Sequence, residues 1–159
     1  MANEHDSALL TGLLSVKLHD AAMARCFGEV APQLHDDACY WLIVATGWIA
    51  CGSQRDAEAV WLPLFRSRRA SRWKMMKPPD RRRWRALPAT VTVHRAVRNG
   101  EDVSRALAWS LNKAVCARLW PERRIVTRKV PKERVAAYWT RRGEAEILIL
   151  PKPEEHPDA

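Results

Sequence analysis

The run Ile147-Leu148-Ile149-Leu150 is the tightest constraint in this chain. It is short, apolar, rich in β-branched residues and closed by Pro151, so it reads as a buried strand. Arg141-Arg142-Gly143-Glu144-Ala145-Glu146 leads into it. Side chains two residues apart on a strand share a face. Glu144, Glu146, Leu148 and Leu150 are therefore expected to point the same way. A carboxylate aimed at an apolar face is costly unless something pairs with it. Two such carboxylates mark a candidate site.

A second charged residue is placed in the same way. Thr90 to Val97 alternates like a strand, and Val91, Val93, Arg95 and Val97 share one face. A guanidinium there needs an anionic partner, from the protein or from a ligand. Phosphate matches its planar fork. His94 lies on the opposite strand face and is expected to be structural.

The remaining periodicity splits the chain into a helical half and a mainly β half. Ser7 can cap a first helix running to about Phe27, Asp36 or Asp37 a second, and Asp56 a third ending near Phe65. The tryptophan spacing in these segments is that of helix packing. After Pro88 come the strand at 90–97, a helical turn within 102–107 and a helix from Asn112 to about Leu119. Strands at 125–130 and 135–139 precede the late acidic one. The class is α+β. The expected organisation is a helical region at 1–65, a basic linker at 66–88, a β core at 89–150 and a flexible tail at 151–159.

Charge is concentrated. Residues 66–85 hold ten Lys and Arg and a single acid, Asp80, which accounts for the whole net charge of +9. Such a stripe is the footprint of a polyanion partner. Arg81, Arg82, Arg83 and Arg85, with Trp84 among them, are candidate nucleic-acid contacts. The four cysteines form no C-x-x-C pair, and no histidine stands at zinc-site spacing. Reduced thiols, no metal and a cytoplasmic location are expected. The longest apolar stretch, 38–51, is too short to span a bilayer, so no membrane partner is expected.

Four segments carry a resemblance. They are Val93-His94-Arg95-Ala96-Val97, Ala108-Trp109-Ser110-Leu111-Asn112, Val130-Pro131-Lys132 and Ala137-Tyr138-Trp139-Thr140-Arg141-Arg142-Gly143-Glu144-Ala145-Glu146. In order and spacing the chain resembles the Arg-Ser-Glu class of mono-ADP-ribosyltransferases, in particular its small bacteriophage and toxin-like members, over residues 84–150.

The resemblance implies a split β-sandwich that holds NAD as co-substrate. Arg95, Trp109 and Ser110 would bind NAD, and Arg95 would hold its phosphates or nicotinamide ribose. Glu146, Glu144 and Ser110 would be catalytic. Glu146 would stabilise the charge that builds on the ribose, and Glu144 would sit by the incoming nucleophile. Tyr138, Trp139, Arg141 and Arg142 would recognise the acceptor, which is RNA, DNA or a host protein. An antitoxin partner goes with the toxin-like members. The family's serine motif opens on Ser where this chain has Ala108, which leaves Ser110 to serve it. A different class of function is a catalytically weak or dead scaffold of the same fold that acts as a nucleic-acid-binding module.

Overall fold

In the first half of the chain a single carboxylate decides where the longest helix begins. Asp36 has extended backbone and accepts the Cys39 N–H at 2.7 Å, so α3 (Asp37–Ala50) starts directly after it. The computed structural model describes residues 3–15, 20–51 and 58–152. Contacts divide the chain into Met1–Met75 and Met76–Ala159. That boundary falls inside the basic segment that the sequence reads as a linker.

The first unit contains α1 (Glu4–Ser15), α2 (Asp20–Val30), α3 and α4 (Glu58–Phe65). The described residues of the helix expected from Ser7 to Phe27 fall in α1 and α2, and residues 16–19 between them lie outside the described residues. The helix start moves, because Asn3 rather than Ser7 caps α1 by accepting the Asp6 N–H at 2.8 Å. The expected start at Asp56 lies outside the described residues. Trp41, Trp48, Trp61 and Phe65 are fully buried. Trp48 packs edge-on against Trp61 and Phe65, with ring centroids 5.8 and 5.2 Å away. The tryptophan spacing is therefore core packing. Gly47 makes room for this core: a Cβ there would come within 2.3 Å of the Phe27 ring.

Part of the basic segment belongs to this unit. Arg69 bonds Asp37 and stacks over Tyr40. Arg72 donates to the Phe65 carbonyl and lies over Trp41. These two cations are fastened down as packing residues.

The second unit carries five strands: β1 (Thr90–Val97), β2 (Ala108–Ser110), β3 (Arg124–Pro131), β4 (Val135–Trp139) and β5 (Glu146–Ile149). They form an antiparallel sheet of order β3-β1-β2-β5-β4. The strands expected at 90–97, 125–130 and 135–139 are present, the late strand begins at Glu146, and β2 is a strand the sequence reading did not contain. β4 is an edge strand, yet all five of its residues are buried. It is covered by α5 (Pro78–Arg85), whose Trp84 Nε1 donates to the Val135 carbonyl at 2.9 Å. This helix was not foreseen, although Pro78 at its start, Asp80 in its first turn and arginines in its last turn are ordinary helix signals.

The sheet's other helix, α6 (Lys113–Leu119), is set by its cap. The Asn112 side-chain oxygen accepts the N–H groups of Ala114 and Val115 at 3.0 and 3.3 Å. α6 packs on β1 and brings buried Cys116 against the His94 carbonyl. Replacing Asn112 by Ala is expected to cost about 1 kcal/mol. The urea midpoint of the full chain should fall accordingly, and an unchanged midpoint would show that the cap does not set this helix.

Candidate active site

Five strands in fixed register place five residues directly opposite one another. Thr127 pairs with His94, His94 with Ser110, Ser110 with Glu146, and Glu146 with Trp139. Directly opposed residues in an antiparallel sheet share a face. His94 Nδ1 lies 2.9 Å from Thr127 Oγ1, as that placement requires. Ser110 and Glu146, both read from the sequence as site residues, are therefore neighbours on one face. Ala108, where the family has its first serine, pairs with Leu148 and not with Glu146.

Glu144 is positioned differently from the expectation. It is not on the strand. It follows a 3-10 turn at Arg141–Gly143 and has helical backbone, and Ala145 after it is left-handed with φ +47°. The two-residue rule for strands therefore does not apply between Glu144 and Glu146. The backbone between them is held instead by β2. Ser110 Oγ donates to the Glu144 carbonyl at 2.6 Å, and Leu111 N–H donates to the Ala145 carbonyl at 3.0 Å. Ser110 Oγ also accepts the Asn112 N–H at 2.9 Å, so the serine ties the start of α6 to the Glu-x-Glu loop.

Arg95 has found its anion within the protein. Its Nε and Nη2 meet Glu101 Oε1 at 2.8 and 2.7 Å, and its Nη1 donates to the Ala108 carbonyl at 2.6 Å. Both side chains are largely buried, at 16% and 7% exposure. A turn over Arg98–Glu101 returns the acid to the arginine: Gly100 takes φ +73°, and Glu101 N–H donates to the Arg98 carbonyl at 3.1 Å. Glu101 was missed from sequence, and the Asn99-Gly100 turn was the signal for it. Arg95 thus grips β2 at Ala108, two residues from Ser110.

The remaining site residues separate. Trp139 is in the row beside Glu146, whereas Tyr138 pairs with Ile147 on the other face. Both are buried in β4, at 3% and 5% exposure, so they form part of the core and not an open recognition loop. Arg141 is half-buried in the 3-10 turn, and the Arg142 side chain lies outside the described residues. Trp109 is buried, donates Nε1 to the Ala106 carbonyl, and lines a cavity of about 180 Å³ with Ser104, Arg128 and Arg134. That cavity lies on Trp109's side of β2, away from Ser110 and Glu146.

The basic helix α5 reaches the same loop. Arg83 Nη1 donates to Thr140 Oγ1 at 2.9 Å, and Asp80 accepts both the backbone N–H and the hydroxyl of Thr140. Arg82, Arg83 and Arg85 are exposed and Arg81 is half-buried. Trp84 is half-buried, and its Nε1 is held by the Val135 carbonyl.

Two titrations are displaced near the row. Burial pushes the Cys116 thiol up, which disfavours its thiolate, and all four cysteines are free thiols. Burial, with Lys113 adding repulsion, lowers the His94 pKa from its ordinary 6.5. Among the described residues no helix is long and apolar enough to cross a membrane.

No family model matches the chain, and no curated protein and no solved structure matches it.

Two outcomes follow from this geometry. Glu101→Ala leaves Arg95 without its carboxylate in a largely buried place and is expected to cost about 3 kcal/mol in urea unfolding. A cost near zero would mean the pair carries little of the sheet. For His94 the folded pKa is the depressed one, so the unfolded chain binds the proton more readily. Stability held above pH 6.5 is then lost as pH falls through the lower folded value. In His94→Gln the urea midpoint should fall less steeply on acidification, and parallel pH profiles would remove His94 as the cause.

Proposed function

We propose that this protein is a mono-ADP-ribosyltransferase that cleaves NAD and transfers ADP-ribose to a nucleic acid or a nucleic-acid-bound protein. The observation that carries the reading is the Ser110–Glu146 pair, with the Glu-x-Glu loop fastened to the same serine. Electrostatic catalysis needs charge held in place before the reaction, because a group that must reorganise contributes less. Here the position of Glu146 is set by strand pairing, and the backbone leading into it is bonded to Ser110 of β2 and to Leu111 just after it.

In the transfer, the bond between nicotinamide nitrogen and ribose C1′ breaks and nicotinamide leaves with the electron pair. Positive charge develops on the ribose, and the Glu146 carboxylate stabilises it. An acceptor nucleophile bonds to C1′, and its proton passes to Glu144 or to water. Glu146, catalytic by the resemblance, keeps that role, whereas of the residues assigned to NAD Ser110 spends its buried hydroxyl on the Glu144 carbonyl and the Asn112 N–H, and Trp109 is buried on the Ala106 carbonyl. Arg95 does not fit as a phosphate clamp while Glu101 and the Ala108 carbonyl hold its fork. It enters as a positioning residue that keeps β2, and with it Ser110, opposite Glu146.

The choice of acceptor rests on α5. Its exposed arginines adjoin Thr140, the residue that opens the turn into Glu144. A polyanion docked on α5 would lie beside the loop that carries the chemistry. The same cations support a second reading, a nucleic-acid-binding module without catalysis.

Labelled NAD and cell lysate separate these readings. Wild-type protein is expected to transfer label to a macromolecule, with Glu146→Gln slower by about 100-fold or more. Equal labelling by both proteins would remove Glu146 from the chemistry. Loss of the label on nuclease treatment places the acceptor on nucleic acid, and loss on protease treatment places it on protein. The binding module instead predicts no transfer and retention of RNA or DNA that weakens steeply with salt.

A further inference from the structure

Outside the sheet, the described residues bring three metal-ligating side chains together in the first unit. His5 and Asp6 open α1, and His35 precedes α3. One ligand atom from each lies within 4.8 Å of the others. His35 lies 29 positions after Asp6 in the chain, so no local spacing motif could reveal the three together.

Asp6 is the fixed member. It is completely buried, and its two oxygens accept the backbone N–H groups of His35 and Asp36, both at 2.9 Å. The two imidazoles are exposed and stack on each other with centroids 4.5 Å apart. His35 Nδ1 lies 3.9 Å from Asp6 Oδ1. His5 Nε2 is 3.3 Å from the Gln33 carbonyl, which it can meet only as a donor. His35 Nδ1 faces the Asn3 side-chain amide at 3.3 Å, a weak surface contact that a metal ion can replace.

We infer that His5, Asp6 and His35 form a surface site for a borderline divalent transition ion of the zinc, cobalt or nickel class. Two imidazoles and one carboxylate are a common donor set for such ions, with the remaining positions taken by water. Bonds of about 2.0–2.2 Å require the donors to close in by roughly 1 Å. The exposed imidazoles can do this, while Asp6 stays where the backbone holds it. Hard cations such as magnesium and calcium prefer all-oxygen sets and are excluded by the two nitrogens. The bound ion would fasten the start of α1 to the residues that open α3. This site is independent of the transferase reading and lies outside the sheet unit.

The test uses the full chain, stripped of metal and kept reduced. Cobalt(II) is the probe, read by visible absorption and by isothermal titration. One equivalent is expected to bind with a nitrogen–oxygen spectrum and to raise the thermal midpoint, with magnesium giving neither effect. His5→Gln and His35→Gln should each lose more than about tenfold in affinity, since loss of even an outer-shell partner costs that much. Their metal-free thermal midpoints should stay close to wild type, because both rings are exposed. Absence of a cobalt spectrum in wild type, thiolate charge-transfer bands that place the ion on cysteine, or unchanged affinity in both variants would each overturn the site.

Discussion

A guanidinium held inside a sheet must be neutralised, and the way Arg95 is neutralised organises the second unit. Glu101 supplies the charge, and the Ala108 carbonyl takes the remaining arm of the fork. Two structural results come from one pair. The turn at Arg98–Glu101 is closed by an ion pair at its base, and β2 is drawn to β1 by a side chain as well as by the ladder. β2 has only three residues and a single paired position with β1, so this extra tie matters. Everything that Ser110 holds depends on β2 staying in place. That includes the cap region of α6 and the carbonyl of Glu144.

α5 shows the same economy from the other side of the loop. Asp80 and Arg83, one helical turn apart, both bond Thr140. Trp84 closes the edge of β4 through Val135, and Lys132 lies over its ring. A helix with no buried residue is thus held by polar contacts and one tryptophan, and in return it covers the strand that leads to the acidic loop. Its outward arginines stay in solvent. The basic segment is therefore divided: Arg69 and Arg72 serve the packing of the first unit, and Arg82 and Arg85 are exposed on α5.

Much of this was legible in the sequence, for identifiable reasons. Asp36 and Asn112 were readable as caps because a short polar side chain before an apolar run has few other uses. β1, β3 and β4 were readable from alternation and from the prolines that end or precede them. What could not be read was long-range or conformational. Nothing local indicates that Glu101 turns back onto Arg95, beyond an Asn-Gly pair that fits many turns. The alternation rule put Glu144 on the face of Glu146, but it holds only inside a strand, and the strand begins at Glu146. The left-handed Ala145 that separates them is not a residue type that announces such a conformation. α5 was hidden by its charge, because a helix without an apolar stripe has no periodicity to find.

Ala145 has a consequence of its own. Alanine in the left-handed region costs roughly 1–2 kcal/mol, which glycine in that place would not incur. The chain keeps the costlier residue at the joint between its two glutamates. A glycine hinge would let the Glu144 carboxylate sweep through many directions relative to Glu146. A methyl-bearing joint, with the carbonyls on both sides of its N–Cα–C unit bonded to Ser110 and Leu111, admits very few. The acidic pair is in this sense a jointed arm with its elbow pinned: the stability given up there fixes the directions in which the two side chains leave the backbone and leaves only their own torsions to aim the carboxylates.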